Sequence, residues 1–183
     1  MKVFRVECDV NNFQTFQLAE DVDFFKNPYK CDDLPPKAAT WVSPEVYADP
    51  PLGKRGDFVD LWACFAFAIA PRAYKVLKNI LTLAGELLPL VHEGIEYKVF
   101  HVTKRFDCID KKRCPDWFRQ CQSSSPRLVF KPKRLPRVSI FKFEGDAVRY
   151  YAIERTGDPK TEFKAAVEHH GLTGFEFIQV AKG

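Results

Sequence analysis

The chain is poor in methionine, with one in 183 residues, and poor in glycine, with nine. So few glycines leave no phosphate-cradling loop and no dinucleotide fingerprint, both of which need glycine at fixed offsets. No Gly-x-Ser-x-Gly elbow occurs, which removes one familiar setting for a serine nucleophile. Long apolar runs are missing too: the longest, residues 61–70, has ten residues and stops at Pro71. A membrane-spanning helix needs about 20. Lys2, Arg5 and Glu7 break up the first residues, so no apolar export core is formed there, and the expected location is the cytoplasm.

What is present is ordinary globular material. Hydrophobic residues make up 46% and charged residues 28%, with 17 phenylalanines. That composition argues against disorder, and the length suits one domain spanning residues 1–183. Phenylalanine fills a core at little rotamer cost, so most of these rings are expected inside and a minority at an exposed contact patch.

The net charge of +4 conceals an asymmetry. Residues 1–90 hold 10 Lys and Arg against 12 Asp and Glu, whereas residues 91–183 hold 18 against 12. Within 98–142 the ratio is 13 to 3. Such a stretch attracts phosphate or an acidic protein face, or is a solvated edge.

Six cysteines (Cys8, Cys31, Cys64, Cys108, Cys114, Cys121) are scattered without paired knuckles. In a reducing compartment they read as free thiols, with Cys64 a small core residue. The group Cys108, Cys114 and Cys121, with His101 upstream, invites a zinc reading, but structural zinc sites prefer short Cys-x2–4-Cys or His-x3–5-His pairs. A cysteine-rich loop without metal is the expectation.

Periodicity lays out the elements. Residues 2–8 alternate as a strand, and 13–18 alternate again after Asn11-Asn12, which predicts an N-terminal hairpin within residues 1–40. Proline then dominates up to residue 51, so long regular elements are not expected there. Residues 58–69 are apolar at nearly every position, which fits a buried strand or a core helix equally. A helix opens at Pro71, with Ala73, Val76, Leu77, Ile80 and Leu81 on one face. Gly85 is expected to end it, and 86–90 reads as an edge strand because Pro89 cannot sit in a central ladder. Further strands are expected at 95–103, 128–130, 138–143, 148–153 and from 172 to 178. Residues 104–126 read as a variable loop with a helical turn at Trp117-Phe118. Asp158-Pro159 opens the second main helix and Gly171 closes it. The sum is an antiparallel-rich α+β single domain with two main helices.

Catalytic constellations are not apparent. His169 and His170 close a helix, where the dipole favours a cation. Asp32-Asp33 and Asp57 with Asp60 come without a partner acid, base or ligand set. No enzyme activity, cofactor or metal is expected. Arg127, Lys131, Lys133, Arg134 and Arg137, with Phe130 and Phe141 nearby, mix charge with aromatics as nucleic-acid binders do. The pI of about 8.7 is low for that role. Alternating Lys and Pro also suit a protected sheet edge, and that reading is preferred.

The order of segments resembles a bacterial family of immunity proteins of polymorphic toxin systems, formerly a domain of unknown function. The matching pieces are Trp41-Val42-Ser43-Pro44, Gly56-Asp57-Phe58, Pro71-Arg72-Ala73 with Leu77, and Gly85-Glu86-Leu87-Leu88-Pro89-Leu90. Tyr97, His101-Val102, Phe106-Asp107-Cys108-Ile109-Asp110, Phe163-Lys164, Val167-Glu168 and Gly171-Leu172-Thr173-Gly174-Phe175-Glu176-Phe177 follow in order. The resemblance implies an α+β domain that binds and neutralises a cognate toxin made by the same cell. The shared pieces are scaffold, so no site residue follows from them. Lys111, Lys112, Arg113, Trp117, Phe118 and Arg119 fall in a stretch peculiar to this chain. They are the expected contact set for an acidic face on the toxin. Asp21, Asp23, Asp32 and Asp33 are the second candidate, suited to a basic toxin.

Overall fold

Two patterns of alternation in the chain become two sheets. The computed structural model describes residues 1–19, 27–50 and 53–182, the side chain of Lys182 excepted. Among them, Lys2–Cys8 (β1), Thr15–Leu18 (β2), Val46–Asp49 (β3), Phe58–Leu61 (β4), Ala66–Ile69 (β5), Gly85–His92 (β6), Ile95–Val102 (β7), Arg105–Phe106 (β8), Ile140–Phe143 (β9), Asp146–Glu154 (β10) and Phe175–Lys182 (β11) are strands. The helices are Pro71–Leu81 (α1), Trp117–Gln122 (α2) and Phe163–His169 (α3). The first sheet runs β11-β1-β10-β9-β8 and the second β3-β2-β4-β5-β7-β6. Pairing is antiparallel except between β2 and β4 and between β8 and β9. The α+β class, with two main helices and antiparallel pairing dominant, is as the sequence predicts. No helix among the described residues is long and apolar enough to cross a membrane.

Successive strand residues point to opposite faces, so each sheet supplies two apolar surfaces. Val6, Ile140, Tyr150 and Ala152 of the first sheet meet Phe58, Phe67, Ile69, Phe100 and Val102 of the second. Helix α1 adds Ala73, Leu77, Ile80 and Leu81 to this central layer, and α3 adds Phe163, Ala166 and Val167. The far face of the second sheet buries Val59, Leu61, Ala66, Ala68, Val99 and Leu88, with Cys31, Tyr29 and Trp41 of the proline-rich segment against it. The far face of the first sheet buries Val3, Phe141, Phe143, Tyr151, Ile153 and Val180 under residues 108–130.

Several local readings change. Strands β1 and β2 do not form a hairpin: they lie in different sheets, because Asp9 and Asn12 close a turn that redirects the chain. The apolar run 58–69 is neither one strand nor a helix. It is a hairpin, β4 and β5, broken by a 3-10 turn at Trp62–Cys64 and by Phe65 at φ 50°. Gly85 does not end α1, which caps at Thr82; it opens β6, where a Cβ would run into the His101 carbonyl of β7. Residues 128–130 make only an isolated bridge, Ile109 to Phe130.

The proline-rich segment is held by a buried histidine and its half-buried carboxylate partner. His101 is fully buried, with Nδ1 2.8 Å from a Glu86 carboxylate oxygen and Nε2 2.9 Å from the Asp33 carbonyl. Glu86 also accepts the backbone N–H groups of Lys37 and Ala38, which together with His101 hold its carboxyl below the usual range against the cost of burial. The indole of Trp41 donates to the Pro89 carbonyl at 2.8 Å. The β6 edge that proline weakens is thereby covered.

Candidate functional site

The cationic residues of 104–137 belong to a packed cap on the first sheet. Cys108, Cys114 and Cys121 point inward with Ile109, Leu128 and Phe130 and form its core. Burial pushes the Cys108 thiol up to about 12 and the Cys121 thiol up to about 11. These thiols are free and act as small apolar side chains. Among the described residues no group of three or more His, Cys, Asp or Glu is placed to hold a metal ion.

Helix α2 is too short to be stable alone and is fixed by tertiary contacts. Trp117 is half-buried, its ring 6.2 Å from Phe143 and packed over Gly145 of the β9–β10 turn. Arg5, buried on β1, donates from one Nη1 to the Cys121 and Ser123 carbonyls, both at 2.8 Å, which satisfies the helix C-terminus with a cation. Arg5 carries no signal in the sequence beyond its place on an alternating strand. Tyr151 donates to Asp146 at 2.7 Å beside Cys121 and closes the support from below.

On this base the expected contact residues divide. Lys111, Lys112, Arg113, Phe118 and Arg119 are exposed, whereas Trp117 is an anchor. Asp110 shapes the loop by accepting the N–H groups of Lys112 and Arg113, at 3.2 and 3.3 Å. The Lys111 ammonium sits 5.5 Å from the centre of the Trp117 ring, a cation–π contact. Phe118 leaves 58% of its surface in solvent. The arrangement is one exposed ring on a packed cap that also exposes Lys111, Lys112, Arg113 and Arg119.

The 127–137 segment adjoins the same cap. Arg127, Lys133, Arg134 and Arg137 are exposed. Asp107 takes up part of this charge, pairing with Arg134 and lying 3.7 Å from Lys131. In the acidic alternative, Asp21 and Asp23 lie outside the described residues, and Asp33 pairs with Lys37 at 3.1 Å.

A second concave site lies where the two sheets meet, at Asp60, Trp62, Phe67, Cys8 and Arg149. The sequence holds one signal for it: Asp60 is the only charged residue in the apolar run 58–69. Comparison with protein-family models, with curated proteins and with solved structures finds no match to this chain.

Proposed function

We propose that the protein binds and neutralises a toxin domain, as the immunity proteins it resembles do, and that Lys111, Lys112, Arg113, Phe118 and Arg119 make the principal contact. The observation that carries this reading is the exposed Phe118 ring on a tightly packed cap that also exposes four cations. Binding energy concentrates in aromatic and arginine anchors presented without loss of conformational entropy. These cations steer an acidic partner into place and set the salt dependence of association. The toxin face that fits is acidic with an apolar recess. Trp117 contributes by holding the seat rather than by contact.

The reading is tested by co-expressing the protein with the toxin domain of its neighbouring effector in a cell that the toxin arrests. Rescue of growth by the wild type, lost with F118A combined with R119E while the variant remains folded, is the expected result. Rescue that survives both substitutions would remove this surface from the interface. The nucleic-acid reading of 127–137 is disfavoured by Asp107, which neutralises part of that charge. It predicts polyanion binding that falls steeply with salt.

A further inference from the structure

We propose that the cavity where β1, the β4–β5 turn and β10 meet is a recognition pocket for a lysine or arginine side chain of a protein partner, with Asp60 as the anchoring anion. The inference does not depend on the surface around Phe118.

Alternation along β4 sends Val59 and Leu61 to the outer core and Asp60 toward the seam between the sheets. The turn that follows keeps Trp62 out of the core, so 62% of its surface is exposed. Phe65 then closes the turn in the left-handed region, at φ 50°, which a non-glycine residue adopts at a cost. Strain of this kind persists where the surroundings over-determine it, and it collects at binding sites. The result is a cavity of about 260 Å³ whose apolar walls include Trp62, Phe65, Phe67 and Phe175.

Three charged side chains line it, and Glu7 and Arg149 are already engaged elsewhere. Glu7 lies 2.7 Å from Arg5 Nε, Arg149 lies 3.5 Å from Asp146, and Cys8 adjoins Asp60 in the cavity wall. Asp60 itself forms no ion pair with any Lys, Arg or His among the described residues. Burial raises its carboxyl to about 6, so at neutral pH it is ionised at a cost.

The chemistry of an occupant follows from this lining. An anion would meet Asp60 and Glu7, and a wholly apolar group would bury the Asp60 charge without pairing it. A cation at the end of an apolar stem satisfies both parts, with methylenes along the rings and the charged head at the carboxylate, while the lining cation Arg149 is directed to Asp146. Lysine and arginine have that build. Val10, Trp62 and Val148 lie around the cavity with their apolar surface exposed, a border suited to the protein surface from which such a side chain projects.

The test is a nuclear magnetic resonance titration of the whole protein with the blocked tripeptide acetyl-Ala-Lys-Ala-amide, and with the same peptide carrying norleucine in place of lysine. The lysine peptide should shift the amides of Asp60, Trp62, Phe67 and Val148, and should move the Asp60 carboxyl titration below its free midpoint near 6. Asp60→Asn, nearly the same shape, should weaken lysine-peptide binding about tenfold or more while keeping the spectrum of a folded protein. Equal binding of the norleucine peptide would overturn the proposal. So would undiminished binding to the folded D60N variant, or no shift at these four residues at millimolar peptide.

Discussion

The indole of Trp117 occupies the space that a side chain at residue 145 would need. A Cβ on Gly145 would lie 3.0 Å from indole Cζ3 and closer still to Cη2, at a position where the backbone has φ 99°. Gly145 therefore does two jobs: it makes the β9–β10 turn and seats the cap. Gly145→Ala must strain the backbone and lift Trp117 off Phe143. A loss of about 2–3 kcal/mol is expected, read as a lower urea midpoint with a red shift of tryptophan emission. The variant should also lose partner binding, because Phe118 rides on the same short helix. An unchanged emission spectrum would show that the cap does not depend on this contact.

How much of this was legible in the sequence depends on the range of the interaction. Helix α1 could be read from its opening and its buried face because its apolar spacing and first proline are local, whereas its end at Thr82 was not signalled and Gly85 belongs to the next strand. The fate of β1 and β2 could not, since both alternate and only long-range pairing decides which sheet takes each. The cap was read as a loop because its ordering groups come from elsewhere: Arg5 from β1, Gly145 from a distant turn, and thiols whose burial no spacing reveals. Of the expected contact set, five residues project as a surface contact needs. Trp117 turns inward, a distinction that neighbouring aromatics in a sequence cannot make. Asp60 was visible as a charge inside an apolar run, but its pairing with a cavity was not.

Asp57 ties three parts of the chain together and should be worth more than its ion pair suggests. One carboxylate oxygen accepts Arg72 Nη1 at 2.8 Å, the Thr173 N–H at 2.8 Å and the Thr173 hydroxyl at 3.2 Å. Arg72 is largely exposed, so its share is the smaller one. Asp57→Ala is expected to cost about 2–3 kcal/mol, since a buried charged acceptor is lost and Thr173 is left without its partner. Arg72→Ala should cost about 1 kcal/mol, mainly through the ion pair and its bond to the His170 carbonyl at 2.7 Å. Equal losses in the two variants, measured by chemical denaturation, would refute this division.

The thiols should be inert until the fold opens. Burial pushes Cys31, Cys64 and Cys108 up to about 12, so almost no thiolate exists at mildly alkaline pH. Cys8 is also raised, by burial first and then by the neighbouring Asp60. Iodoacetamide should leave the native protein essentially unlabelled and should add six groups in urea, counted by intact mass. The folded state holds these protons above the ordinary value of 9.0 and the unfolded state releases them. Stability should therefore fall as pH rises past about 9. Fast labelling of any cysteine in the native protein would contradict the packed cap or the packed seam.

Lys142 acts in the opposite sense over nearly the same range, and the two can be separated. The side chain is 1% exposed and crosses from β9 toward the second sheet, where Nζ donates to the Cys31 carbonyl at 3.0 Å and the Phe65 carbonyl at 3.2 Å. It also lies 4.2 Å from the centre of the Tyr150 ring. Burial lowers its pKa to about 8; Arg105, its register partner on β8, lowers it further, and Cys31 and Asp146 offset part of this. Below 8 both states carry the charge, so the cost of burying it is fully present. Between about 8 and the ordinary 10.5 the unfolded chain binds the proton and the folded chain does not, so this residue makes stability rise with pH. Lys142→Met removes that titration and keeps the thiols. The stability of the wild type relative to the variant should therefore grow by about 2–3 kcal/mol across the interval, whatever its value at neutral pH. The contributions of the thiols that do not face Lys142 cancel in the difference, and Cys31, raised to about 12, stays protonated in the folded protein across the interval. A wild-type-minus-variant difference that stays flat from pH 8 to 10.5 would mean that the folded protein keeps Lys142 charged up to its ordinary pKa and that burial does not depress it.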